Sequence, residues 1–180
     1  MSVGERLELH VSRRRIASAV KRLARQIEAD YPEELPVMVG ILTGSFVFMA
    51  DLVRELGREV ELEFMRVSSY GSGTSSSGVV KLRMGVSDRV RGRHALIVED
   101  IVDTGRTTAY AAKYLRRRGA DSVRICTLLD KPSRRVVPVA TDYVGFSVPD
   151  RFLVGYGLDH DGRFRSLPDI YEISGGPDGP

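Results

Sequence analysis

Short, largely apolar runs recur along this chain, and they constrain its fold more than any other feature. Pro36 to Leu42 reads PVMVGIL, His94 to Val98 reads HALIV, and Ser122 to Leu129 reads SVRICTLL. A strand with one wet face alternates apolar and polar residues. A run that is apolar throughout is buried on both faces, as in the interior of a parallel sheet. Stretches with helical spacing lie between these runs. In residues 11–30, Ile16, Val20, Leu23 and Ile27 share one face, with Ser12 placed to cap the helix and Pro32 and Pro36 to close it. After the TGS turn, FVFMADLVREL predicts a second helix with Phe46, Met49, Ala50, Val53 and Leu56 inward. Thr107 to about Arg118 predicts a third. Further strands are expected in VELEFMRV, VVKLRM, TDYVGFSV and LPDIYEI. Strand alternating with helix predicts an α/β fold with a mainly parallel, twisted sheet flanked by helices. In such sheets ligands bind at the carboxyl ends of the strands.

A chain of 180 residues suits a single domain spanning 1–180. Serines and glycines crowd SSYGSGTSSSG, so a mobile loop is expected at about 68–78. A frayed tail is expected at about 174–180. No apolar run approaches the ~20 residues of a membrane span. The first residues, MSVGERLELH, lack an apolar signal core. The lone cysteine, Cys126, sits in an apolar run and reads as a buried thiol. Together these point to the cytoplasm and to no membrane partner. A net charge of +3 is too mild to demand nucleic acid, and it suits a protein that handles phosphorylated small molecules.

The chemistry concentrates in VEDIVDTGRTT, residues 98–108. Glu99, Asp100 and Asp103 place three carboxylates within five residues. Like charges that close repel, and capping a helix would explain only one of them. The turn that follows, Thr104-Gly105-Arg106-Thr107-Thr108, opens a helix. Its free N–H groups, hydroxyls and glycine make a cradle of phosphate size. The spacing is not that of a Walker loop. A sugar diol, with a divalent metal sharing the charge, would accept the carboxylates. Asp103, at the mouth of the turn, remains free to give or take a proton.

This segment closely resembles the phosphoribosyl-pyrophosphate signature of the type I phosphoribosyltransferases, in the form found in the hypoxanthine-guanine branch. GILTGSFVFMADLVREL resembles that family's first loop and helix, and VSSYGSGTSSSG its mobile loop. LLDKPSRR and DYVGFSVPDRFLVGYGLDHDGRFRSLPDIYEI resemble its purine and pyrophosphate segments. The resemblance implies a small hood built from the N- and C-terminal segments. It also implies a purine-salvage enzyme that joins hypoxanthine, guanine or both to phosphoribosyl pyrophosphate, giving IMP or GMP and pyrophosphate.

Residue roles follow from the same resemblance. Asp103 would be the acid/base at purine N7, and Ser69 and Tyr70 would close the mobile loop over the reaction. Glu99 and Asp100 would hold the ribose hydroxyls and magnesium, while Thr104, Gly105, Arg106 and Thr107 grip the 5′-phosphate. Thr43, Gly44 and Ser45 would meet pyrophosphate through their N–H groups, next to a cis peptide between Leu42 and Thr43. Arg165, rather than Arg163, would reach the same pyrophosphate. Lys131 would donate to the purine's 6-oxygen, Phe152 would stack on the ring, and the backbone of Leu153 would face the base edge. Asp159 would bind a second magnesium. The family usually has lysine where Thr43 stands, which bears on pyrophosphate affinity. The family is usually dimeric or tetrameric.

Two other readings stay open from the residues. Arg13 to Arg15 and Arg116 to Arg118 would form a basic face in an RNA-binding regulator of the same fold. A phosphoribosyltransferase for another base, such as xanthine, is the second.

Overall fold

The computed structural model of the chain describes residues 6–69 and 80–174. The elements run β1 (Arg6–Val11), α1 (Arg13–Asp30), β2 (Val37–Leu42), α2 (Phe46–Glu55), β3 (Leu62–Ser69) and β4 (Val80–Met84), then β5 (His94–Val102), α3 (Arg106–Arg117), β6 (Ser122–Asp130), β7 (Tyr143–Ser147), β8 (Leu153–Val154) and β9 (Ile170–Ser174). Six strands form one sheet in the order β4-β3-β2-β5-β6-β7. All neighbours in it are parallel except β3 and β4. The second sheet is antiparallel, in the order β1-β9-β8. This is the hood, with a strand from each end of the chain.

The doubly buried runs work as their composition predicts. In β5, Leu96 and Val98 pack with α1 and α2 on one face, and Ala95 and Ile97 pack with α3 on the other. Ile16, Val20, Leu23 and Ile27 of α1 are at most 2% exposed. Burial of each such side chain contributes about 1.5–3 kcal/mol. Ser12 stands at the N-cap of α1 but makes no capping bond through its side chain. Asp169 acts instead, accepting from the Arg13 N–H at 2.6 Å, and so ties α1 to the segment entering β9.

The expected register of α2 is corrected. Phe46 and Ala50 face outward, while Phe48, Met49, Leu52 and Leu56 are buried. FVFM offers two apolar stripes about 100° apart, and spacing alone does not choose between them. The handover from β2 chooses: the buried Ser45 hydroxyl donates to the Ile41 carbonyl at 2.6 Å and fixes where the helix starts. The expected mobile loop also starts too early, because Ser68 and Ser69 pair with Lys81 and Val80 as the end of β3. The rest of that loop, with Tyr70, lies outside the described residues. Most of the expected tail does too, although Ser174 belongs to β9.

Strands β2, β5 and β6 are parallel neighbours, so their carboxyl ends share one edge of the sheet. Leu42, Val102 and Asp130 end there, and the segments after them carry the residues singled out above.

Candidate active site

Strand β5 runs further than its apolar stretch, through Glu99 and Asp100 to Val102. The two acids are therefore set in the sheet rather than on a loose turn. Glu99 is 7% exposed, and its Oε2 is buried without a hydrogen-bond partner. Burial, and then the neighbouring Asp100, holds its carboxyl well above the usual carboxylate range. Asp100 is pushed up to about 6, mainly by burial, against the pull of nearby backbone N–H groups and Arg165. A buried polar atom left unpaired costs free energy. An arriving hydroxyl donor or cation would remove that cost.

The loop after β2 lies directly against Asp100. The Leu42–Thr43 peptide is cis. A Cβ on Gly44 would fall 1.7 Å from Asp100 Oδ2. Gly157, at φ +98°, is as tightly placed, since a Cβ there would lie 2.2 Å from the Gly44 carbonyl oxygen. The two glycines let three segments stack: the loop after β2, the end of β5, and the hood loop after β8. Gly44→Ala is therefore expected to push the Asp100 carboxylate aside. A displacement of that kind should raise the KM for phosphoribosyl pyrophosphate by roughly tenfold, since misplacing a binding group by ~1 Å can cost about 10²-fold. Steady-state kinetics check this, and an unchanged KM would show that Asp100 does not touch that substrate.

The turn after β5 has no side-chain cap. Gly105 is the N-cap of α3 at φ +81°, and a Cβ on it would lie 2.5 Å from the Val137 carbonyl oxygen. Thr104 Oγ1 is 3.5 Å from the Arg106 N–H, too long for a capping bond. The Thr104 carbonyl instead accepts from the N–H groups of Val136 and Val137, both at 3.0 Å. Neither Asp103 nor Thr104 is spent on the helix. The first turn of α3, with Arg106 and Thr107 partly exposed, keeps its N–H groups for a ligand. Thr43 is exposed, whereas Ser45 is fully buried with its hydroxyl pointing back into β2.

The base-reading candidates gather beside this turn. Val102 pairs with Asp130 across β5 and β6, and the Lys131 N–H donates to the Val102 carbonyl at 3.0 Å. Asp103 and Lys131 thus leave adjacent strands at the same level. The Lys131 side chain is buried, with Nζ donating to the Arg151 carbonyl at 2.6 Å. Phe152 is 51% exposed and meets only the His160 ring among aromatic neighbours described, at 5.0 Å. Leu153 is buried in β8, opposite Glu172 of β9. Arg165 bridges the hood loop, 2.6 Å from Asp159 Oδ1 and donating to the Gly157 carbonyl at 2.6 Å. Arg163 lies over the Phe164 ring instead. Ser69 ends β3, and Tyr70 is not among the described residues. The spacing did not reveal Arg134, which pairs with Asp103 at 3.2 Å, or Asp150, which Arg134 also reaches. The only sequence signal was the KPSRR run after β6.

Among the described residues, no three carboxylate, histidine or cysteine side chains stand close enough to hold a metal by themselves. That suits magnesium, which is commonly held by one or two carboxylates and completed by water and substrate phosphates. The unpaired Glu99 oxygen beside Asp100 fits such a partial set.

The arginine triplets do not make one surface. α1 packs on one face of the large sheet and α3 on the other. Arg118 is paired with Asp88, and Arg15 lies over Phe146.

The phosphoribosyl transferase domain matches residues 11–161. The hypoxanthine-guanine phosphoribosyltransferase of Streptococcus pneumoniae is 48% identical over 160 residues, 89% of each chain. The Bacillus subtilis protein of the same name is 46% identical over the same shares. The solved Bacillus anthracis hypoxanthine-guanine phosphoribosyltransferase, with HEPES in its active site, superposes with a TM-score of 0.88 at 40% identity, covering 93% of this chain and 98% of its own. On fold, motif and relatedness alike, the chain belongs to the hypoxanthine-guanine phosphoribosyltransferase family and is a purine-salvage transferase.

Proposed function

We propose that this enzyme joins a 6-oxopurine, hypoxanthine or guanine, to phosphoribosyl pyrophosphate with magnesium, releasing IMP or GMP and pyrophosphate. The carrying observation is the level placement of Asp103 and Lys131 just past the ends of adjacent strands. N7 and the 6-oxygen of an oxopurine are neighbours on one edge, so one acid and one ammonium side by side match them. Adenine would set an amino group against Lys131, donor against donor.

As the purine N9 bonds to the anomeric carbon, the carbon–oxygen bond to pyrophosphate breaks and the N7 proton passes to Asp103. The ribose hydroxyls donate to Glu99 and Asp100. The first turn of α3 receives the 5′-phosphate on its N–H groups, with the Thr104 and Thr107 hydroxyls. Thr43, Gly44, Ser45 and Arg165 face the pyrophosphate, and Phe152 stacks on the base, with the Leu153 backbone at its edge. Glu99 and Asp100, and at a second position Asp159, would hold magnesium, which would supply charge neutralisation for the leaving group. Ser69 and Tyr70 belong to the segment that excludes water. A cytoplasmic dimer or tetramer, with no nucleic-acid partner, completes the proposal. No described helix is long and apolar enough to cross a membrane.

Initial rates with hypoxanthine, guanine, xanthine and adenine, with and without magnesium, test this. Hypoxanthine or guanine should exceed adenine by roughly 10²-fold or more, the scale set by a mispaired buried polar group. Preference for adenine, or full activity in EDTA, would overturn it.

A further inference from the structure

A line of contacts runs from Lys131 to Asp103 through two residues with no role so far. Lys131 Nζ is 3.8 Å from Asp150 Oδ1. The other oxygen of Asp150 accepts from Arg134 Nη1 at 3.3 Å. Arg134 Nε donates to Asp103 Oδ1 at 3.2 Å. Positive and negative charges alternate along the line, and its ends are the two groups assigned to the purine edge.

Stability does not account for this line. The side chains of Arg134, Asp103 and Asp150 are 48%, 37% and 52% exposed. Ion pairs that wet contribute about 0–1 kcal/mol. The ends of β5 and β6 are already joined by Arg135, which is paired with Asp130 and donates to the Asp103 carbonyl at 3.0 Å. What Arg134 adds is reach. It leaves the short turn after β6, where its N–H donates to the Lys131 carbonyl at 3.1 Å, and spans to the segment before β8. That segment holds Asp150, Arg151, whose carbonyl receives Lys131, and Phe152. A guanidinium presents its donors in a rigid fork, so two carboxylates bound to Nε and Nη1 are held at a set separation. A lysine in its place supplies charge without that spacing.

We infer that Arg134, bridged through Asp150, is a positioning residue for the base: it sets the separation between Asp103 and the Asp150–Phe152 segment, so that the acid, the Lys131 ammonium and the Phe152 ring converge on one planar bicyclic ring. The inference rests on the base-binding roles proposed above. It concerns the base alone, because no contact in the line reaches Glu99, Asp100 or the first turn of α3.

The test compares Arg134→Ala, Arg134→Lys, Asp150→Ala and the Arg134→Ala/Asp150→Ala double variant, with separate KM values for hypoxanthine and phosphoribosyl pyrophosphate. Each single variant should raise the hypoxanthine KM roughly tenfold, less than the ~10²-fold of a full ångström's misplacement. The KM for phosphoribosyl pyrophosphate and the melting temperature should hold. The double variant should match the singles, since both residues serve one bridge. Arg134→Lys should behave like Arg134→Ala. Parallel rises in both KM values, additive losses, or full rescue by lysine would overturn the inference. Lys131→Ala and Asp103→Asn serve as controls. If they impair turnover of the base while the Arg134 variants are silent, only this inference fails. If they too are silent, the proposed base site fails with it.

Discussion

Replacing Asp103 with asparagine is expected to lower kcat by about 10²–10⁴-fold, the range for a positioned proton-transfer group. The KM for phosphoribosyl pyrophosphate should stay within a few-fold. The prediction is sharp because the structure separates this residue from its neighbours. Asp103 lies three residues beyond Asp100, outside β5, with its carboxylate on Arg134 rather than on the loop after β2. An asparagine keeps the shape and can still accept from Arg134 through its amide oxygen, so the pocket should stand. On the proposed mechanism, what it loses is a group able to hold the N7 proton. Rates and substrate titrations on the purified variant decide the matter. Equal damage to turnover and to phosphoribosyl pyrophosphate binding would mean that Asp103 holds the sugar or its metal instead.

Asp100→Asn is expected to make the protein more stable and less active. The carboxyl of Asp100 is pushed up to about 6 from an ordinary value of 3.8, mainly by burial. The folded form therefore holds its proton at pH values where the unfolded form has lost it. Stability is full below about pH 4, falls as pH rises through about 6, and stays reduced above. A shift of that size corresponds to about 3 kcal/mol. Asparagine removes the ionisation and also relieves Glu99, whose carboxyl is raised partly by Asp100. At pH 8 in EDTA the variant should melt roughly 6–12 °C higher, at about 2–4 °C per kcal/mol for a chain of this size. By pH 4 the difference should vanish. The KM for phosphoribosyl pyrophosphate should rise by roughly 10–100-fold, the scale of a lost hydrogen bond to a charged group. Thermal melts across pH test the sign. A variant that melts lower at pH 8 would show that the native carboxylate is stabilised rather than strained.

The elements governed by burial on both faces were legible in the sequence. β2, β5 and β6 declared themselves as largely apolar runs, and α1 by spacing at which Ile16, Val20, Leu23 and Ile27 all went inward. The acids at 99, 100 and 103 were legible because nothing in folding asks for them together. Less could be read where a choice depended on a distant partner. β1 and β8 form only because β9 lies between them, and RLELHV alone is short and charged. The inward face of α2 depended on one hydroxyl bond at Ser45. Asp150 and Arg134 escaped notice because sixteen positions separate them and only the fold brings their side chains together.

The pairing of β1 with β9 carries a consequence for biosynthesis. Residues 6–11 are made well before their hydrogen-bonding mates at 170–174. β1 must wait, unmatched, until β2 to β8 have been made. A nascent chain halted before Ile170 would already possess the strands and turns assigned to sugar and phosphate while lacking the finished roof beside the base. The hood sheet is thus joined only after every strand of the large sheet has been synthesised.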